Sequence, residues 1–448
     1  MYGHHRWCPK QALCGAFKPN PLLRQTMNED FLQFAWRTRR FDADNLRTTE
    51  GLPIEIVHPG SWNHHDGPDF LDARIRIGET LWAGHVEMHV KASEWHQHKH
   101  GEDPAFANVV LHVVYEEDQP VYTPAGVRLP CLELRQRLPE PLWVRYRQWL
   151  HGDHWIPCQA LLPQASDLTR SLCLDRLLVE RLQLKTEAMR QRLQENGQNW
   201  EDTFYEFLAR NFGLTANAEA FAELARSLPQ RILARHKDNL LQLEALLFGQ
   251  AGLLHDAPDE PYAHALRTEY DFLRKKYRLT PLPPTRWHFR RLHPGNFPTV
   301  RLAQFARLVQ RSAHLFSRIL EIESQKDVES LFDVRLDGYW TNHYNFGKES
   351  SRGPRTLGAD TIRLITINTI APMLFLYGSS IGEERHKDKA LRLLEELPAE
   401  RNRIIRGWEA LGWKAANAFD SQALIQLKKH YCDRRRCLHC SIGAELLK

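Results

Sequence analysis

Residues 65–91, HDGPDFLDARIRIGETLWAGHVEMHVK, carry two carboxylates, Asp69 and Glu87, on what the patterning predicts to be neighbouring strands of a hairpin. From Val86 the second strand alternates strictly. Val86, Met88 and Val90 fall on a core face, while His85, Glu87, His89 and Lys91 share the other. Four ionisable groups on one face are costly unless that face is wet or binds something. Pro68-Asp69 opens the first strand, so the Asp69 carboxylate can meet Glu87 across the hairpin. Converging carboxylates beside a basic group suit Mg²⁺ or Mn²⁺, which prefer hard oxygen ligands. That is the chemistry of metal-assisted phosphodiester cleavage. The plainer alternative is that Asp69 caps a turn and Glu87 pairs with Arg74 or Arg76.

Two further constellations bear on metals. His98, His100 and His112 can gather near Glu87 as a second shell, although a histidine in an apolar strand such as His112 is equally a hydrogen-bonded core residue. If they converge with Asp69 and Glu87, the nitrogen-rich site turns the metal toward Mn²⁺, Fe²⁺ or Zn²⁺ and admits a hydrolase acting on another ester. Near the end of the sequence, Cys432, Cys437 and Cys440 form C-x₄-C-x₂-C. Such density fits part of an iron–sulfur pattern, or a zinc site completed by His430, His439 or a distant cysteine. Cys158, in WIPC, is the preferred fourth ligand, giving a structural 4Fe-4S cluster or zinc clamp. Cys8, Cys14, Cys131 and Cys173 find no partner in the pattern and default to small buried hydrophobes.

Elements must position these groups. A helix is expected over Glu29–Phe41, capped by Asn28, then a strand at 53–58 and hairpin strands near 72–77 and 81–91. A helix from Glu94, broken by Pro104, leads to the apolar run VVLHVVY at 109–115, which reads as a central strand. From Pro139 amphipathic helices dominate, among them 167–195 with Leu168, Leu172, Leu178 and Leu182 as its stripe, and Gly213, Pro229, Gly249 and Gly252 mark helix ends.

A chain of 448 residues with 42% apolar content calls for two or three domains, and its net charge of +5 permits nucleic-acid binding without demanding it. Basic and aromatic residues interleave twice: Arg286, Arg290 and Arg291 running to Arg301 around Trp287 and Phe289, and Lys348, Arg352 and Arg355 after Tyr339-Trp340. Guanidinium groups beside stacking rings suit a flexed nucleic-acid backbone; a solvated surface over core aromatics is the competing reading. The apolar segment 364–377 is short, holds Pro372 and reads as a buried helix, so no membrane span is expected. Residues 1–26 lack a secretory pattern and are expected to be a disordered extension of a cytoplasmic protein; no P-loop or dinucleotide fingerprint occurs.

The expected αβββαβ order, with Pro-Asp followed eighteen residues later by Glu-x-basic, resembles the core of the PD-(D/E)xK nuclease superfamily. The resemblance implies that Asp69 and Glu87 hold Mg²⁺ or Mn²⁺, with His89 at the position of the superfamily's lysine. A neutral imidazole cannot do a lysine's electrostatic work but can ligate metal or act as a general base, and Lys91 is placed to supply the missing charge. Some DNA-end-processing members also close an iron–sulfur cluster with one distant and three C-terminal cysteines. A second resemblance covers most of the chain from Met27. The stretches GPDFLDARI, WAGHVEMHVKASEWHQHKHGEDPAFANVVLHVVYE, QLEALLFGQAGLL, RLHPGNFPTVRLAQFA and YCDRRRCLHCSIG are similar to a bacterial domain-of-unknown-function family, number 2851. The reading is therefore α+β: residues 27–150 a restriction-endonuclease-like domain, residues 151–448 a helical domain with a cysteine clamp. The expected function is metal-dependent nucleic-acid hydrolysis, on DNA rather than RNA, with a non-catalytic nucleic-acid-binding or scaffold protein as the alternative. The oligomeric state is left open.

Overall fold

Asn28 accepts the Phe31 backbone N–H at 3.0 Å and so starts helix α1, Glu29–Thr38, which ends at Arg39 in the left-handed region. The computed structural model describes residues 27–123, 126–312, 314–350 and 356–447, so the readings of segment 1–26, Cys8, Cys14, Arg352 and Arg355 fall outside the described residues. α1 buries Phe31, Leu32, Phe34, Ala35 and Trp36, and it packs on the fourth of six strands.

Those strands are β1 (Ile54–His58), β2 (Ser61–Trp62), β3 (Phe70–Ile77), β4 (Thr80–Lys91), β5 (Val109–Glu116) and β6 (Cys131–Glu133). Their order is β1-β3-β4-β5-β6, with β2 added beside β3. β1, β3 and β4 run antiparallel, and a crossover then makes β5 parallel to β4 and β6 parallel to β5. The crossover holds a single short helix, α2 (Glu94–Gln97), followed by two 3₁₀ turns. The longer helix expected there stops because Lys99 adopts φ 60°.

Both faces of this sheet are covered, as a parallel crossover requires. One face is wholly apolar, with Phe70, Ile75, Val86, Met88, Leu111 and Val113 beneath Leu32 and Trp36. The other has an apolar rim of Ala92, Trp95, Phe106, Val109, Val114, Val121, Leu129 and Cys131. Glu87, His89 and His112 are buried on the same strands, β4 and β5.

The described chain divides into two compact units, Ser166–Arg434 and the remainder, so the segment from Arg435 belongs with the sheet. There Arg37 donates to the Leu438 carbonyl at 2.9 Å, and the Arg435 guanidinium donates to the Trp149 and Gly152 carbonyls. The fold is thus mixed α+β, a small mixed sheet followed by a helical region.

The helical unit is built around Asp167–Glu195. Its inward stripe is Cys173, Leu174, Leu177, Leu178, Leu182, Thr186, Met189 and Leu193. Leu168 and Leu172, assigned to that stripe from the sequence, are 70% and 59% exposed. Leu168 is only about 40° in phase from buried Leu182, but both leucines sit in the first two turns, ahead of the buried run that begins at Cys173. Gly249 is the penultimate residue of the helix Leu240–Gln250, at the end the sequence marked, and it also serves close packing, since a Cβ there would collide with the Tyr270 ring. The helical run Ala359–Ile381 is long and apolar enough to cross a membrane, but 67% of its apolar window is buried inside the unit, as befits a core helix. A π-turn at Thr366–Ile370 precedes Pro372. Five residues before that proline, the Ile367 carbonyl has no N–H to receive, and Lys185 Nζ donates to it at 3.1 Å.

Candidate metal centre

The pairing of Phe70 with Val86 sets Asp69 opposite Glu87 where β3 begins. The two acids interlock through the backbone. Asp69 N–H donates to Glu87 Oε2 at 3.0 Å, and Met88 N–H donates to Asp69 Oδ2 at 2.9 Å. Gln33 Nε2 donates to the other Asp69 oxygen at 2.8 Å. A bulge follows, with Asp72 at φ 57°, so the register shifts between Phe70 and Ala73. Arg76 pairs with Glu55 at 2.9 Å instead of Glu87, and among the described residues no lysine or arginine lies within ion-pair distance of Asp69 or Glu87. Burial first, and then the Glu87 charge, pushes the Asp69 carboxyl well above the usual range; burial does the same to Glu87.

A third carboxylate, half-buried Glu29 at the start of α1, lies near enough for their charges to act on it. Burial, then Asp69 and Glu87, pushes Glu29 up to about 8. Glu29 and Gln33 are four residues apart on α1 and so share one face, the stripe that continues to buried Trp36. The sequence reading missed both. The signal was present as two polar residues on the inward stripe of an otherwise apolar helix.

The histidines gather on the other side of Glu87. His89, wholly buried, places Nδ1 2.8 Å from His112 Nε2 and Nε2 3.2 Å from His98 Nδ1. His100 Nε2 stands 3.3 Å from Glu87 Oε1, and His89 Nε2 stands 3.7 Å from the same oxygen. Burial, and then the neighbouring imidazoles, brings His89 down to about 2 and His112 to about 3. Both rings are therefore neutral at pH 7. Lys91 is exposed at the end of β4, where its charge acts on Asp118.

Cys158 precedes the 3₁₀ turn Gln159–Gln164, Cys440 precedes the helix Ser441–Leu446, and those two segments pack together. Cys158, Cys437 and Cys440 are buried: burial and then Cys440 push the Cys158 thiol up to about 12, and burial, then Cys158 and Cys440, pushes Cys437 up too. Cys432 is half-buried at the end of a π-turn, Leu427–Cys432, in the helical unit. Cys131 and Cys173 are buried among apolar residues.

The basic, aromatic stretches divide. Trp287 and Trp340 are core residues, Trp287 donating to the Ala251 carbonyl and Trp340 stacking on Phe248. Arg301 is 5% exposed and bonded to Gln304, Asn296 and Thr361, which removes it from any phosphate-facing surface. Arg286 is paired with Glu223 at 3.1 Å, while Arg290, Arg291 and Lys348 are exposed. In the sheet unit a groove of about 700 Å³ carries Arg39, Arg40, Arg137 and Arg145, a basic surface that the sequence reading did not single out.

A model of one protein family, described as Protein of unknown function (DUF2851), matches residues 29–403. No curated protein and no solved structure matches the chain.

Proposed function

The chain belongs to this DUF2851 family of unknown function, and we propose that it is a divalent-metal-dependent nuclease whose centre is Glu29, Asp69 and Glu87. The observation that carries the reading is the interlocked, buried Asp69–Glu87 pair, with half-buried Glu29 near enough for their charges to act on it and no lysine or arginine among the described residues within ion-pair distance of the pair. Such a cluster must take up protons or a hard cation, and an oxygen-only donor set fits Mg²⁺ or Mn²⁺. When bound, the ion would supply charge neutralisation at a phosphodiester and acidify a water. The chain's own residues do the rest. Gln33 and the Met88 amide fix the Asp69 carboxylate, and the Asp69 amide fixes Glu87. Strand order supports the nuclease resemblance: three antiparallel strands, a crossover, then a parallel strand, with the acids at the start of β3 and on β4. The arginine-lined groove in the same unit suits a nucleic-acid backbone, with DNA favoured over RNA.

One observation favours a second reading, a nucleic-acid-binding protein without cleavage activity. The residue at the lysine position, His89, is neutral and sealed, so no positive charge stands there. Purified protein with Mg²⁺ or Mn²⁺ would be incubated with single- and double-stranded DNA and RNA. Cleavage lost in Asp69→Ala, Glu87→Ala and Glu29→Ala supports the nuclease; cleavage unchanged in all three rejects it; binding and metal-dependent stabilisation without cleavage favours the second reading.

For the cysteines we propose a structural metal, 4Fe-4S or zinc, held by Cys158, Cys437 and Cys440. Three buried thiols, two of them raised by burial and by their neighbours, fit a group whose binding ionises them. Visible absorbance of anaerobically purified protein, lost in Cys437→Ser, indicates iron–sulfur; colourless protein with stoichiometric zinc indicates the other.

A further inference from the structure

The histidine side of Glu87 has donors that the carboxylate centre does not use. We propose that His89, His98 and His100, with Glu87 Oε1 as fourth ligand, form a binding site for a divalent transition metal of the zinc type. This site adjoins the proposed nuclease centre and does not depend on cleavage.

Distances come first. Four ligands about 2.0–2.1 Å from zinc in a tetrahedron stand roughly 3.3 Å from one another. Here His89 Nε2 to His98 Nδ1 is 3.2 Å, His100 Nε2 to Glu87 Oε1 is 3.3 Å, and His89 Nε2 to Glu87 Oε1 is 3.7 Å. One donor nitrogen from each of the three histidines lies within 4.8 Å of the other two. Three of the six edges of a coordination tetrahedron are thus at or near their length.

The surroundings agree. A ligating histidine is held by a partner on its other ring nitrogen, and His89 Nδ1 has His112 Nε2 at 2.8 Å for that purpose. His100 Nε2 and His112 Nδ1 are buried without a hydrogen-bond partner, a cost that a core of packed histidines leaves unrelieved. A proton on His112 Nδ1 makes its Nε2 an acceptor for His89 Nδ1–H. The His89 Nε2 lone pair is then aimed at the site. Lys99, between His98 and His100, is held in the left-handed region at φ 60°, a conformation that turns both neighbours toward His89. Phe106 stacks on His100 and Trp95 meets it edge-on, walling the site with apolar rings. Glu87 can serve both sides, since Oε2 accepts from Asp69 while Oε1 faces the histidines. Imidazole donors select zinc, iron or manganese over magnesium.

Full-length protein stripped with a chelator would be titrated with Co²⁺ as a spectroscopic probe and with Zn²⁺ in competition. The difference between the parent and His98→Ala should be a visible tetrahedral cobalt band without thiolate charge transfer, which separates this site from the cysteines. Zinc affinity at the site should fall more than about 100-fold in His98→Ala and His100→Ala, and by roughly 10–100-fold in His112→Gln with stoichiometry kept. His98 is exposed, so its removal leaves the core intact. Parent-like stoichiometry and affinity in both alanine variants overturn the proposal, as does a parent that takes up cobalt only at sulfur. Asp69→Ala should keep the cobalt band, so loss of the nuclease reading and loss of this site are distinguishable.

Discussion

Glu87→Gln should make the metal-free protein more stable at pH 8, although it alters a buried residue. The folded Asp69–Glu87 pair holds its proton up to about 8, whereas an unfolded carboxyl releases it near 4. Between those values the native state binds more protons than the unfolded chain, so stability falls as pH rises. His89 and His112 act in the opposite sense. Their folded values are near 2 and 3 against about 6.5 unfolded, so they weaken the fold only as pH drops below 6.5. Between pH 6.5 and 8 the histidines add no slope; Glu29, held up to about 8, and Lys185, brought down to about 7 by burial, titrate in parent and variant alike, so the difference between the two proteins reports the Asp69–Glu87 pair. One retained proton costs about 1.4 kcal/mol per pH unit, hence about 2 kcal/mol across the window. Glutamine keeps an oxygen to accept the Asp69 N–H and removes one of the two proton-binding carboxyls. Urea unfolding in chelator should show Glu87→Gln losing about 2 kcal/mol less than the parent over this range. Mn²⁺ at a hundred times its dissociation constant should return about 2.7 kcal/mol to the parent and little to the variant. Equal slopes in parent and variant from pH 6.5 to 8 would refute the assignment of a retained proton to this pair.

Glu29→Gln should weaken Mn²⁺ binding without the loss of fold expected for a core residue, as read by metal titration and by thermal unfolding in chelator. Gly249→Ala should destabilise by about 1–3 kcal/mol, measured by urea unfolding, because its methyl group must displace the Tyr270 ring. Arg301→Ala should cost about 2–4 kcal/mol through the buried partners it strands, yet leave the salt dependence of nucleic-acid binding unchanged. Arg39→Ala should instead lower that salt slope by about 1 if its groove tracks phosphate, with little effect on unfolding.

The strand ladder was legible because alternation is a local property. The predicted strands at 53–58, 72–77, 81–91 and 109–115 lie within two residues of those observed, and Asn28 and Glu195 bound their helices as read. How far along a helix burial extends was less legible. Leu168 and Leu172 share their spacing with a buried pair, and Leu168 is in phase with buried Leu182, yet both lie in the first turns, before the buried run that starts at Cys173. Gly249 marked a helix end as read, but its close packing against Tyr270 was not legible, because that contact comes from a separate helix. Arg301 and the tryptophans beside the basic runs show the limit of interleaving as a signal. Alternate residues in a helix or turn point in different directions, and these point inward. At the site, the hairpin pattern placed Asp69 against Glu87, whereas Glu29 reaches them from α1 through tertiary packing. Strand alternation offered no distance from which to infer that contact.

The return of Arg435 and the residues after it to the sheet unit has a bearing on biosynthesis. A ribosome must deliver all of Ser166–Arg434 before Leu438 can meet Arg37, or Arg435 can cap the Trp149 turn. Until then the nascent sheet lacks its last piece, and cleavage or premature termination inside the helical region leaves it unfinished.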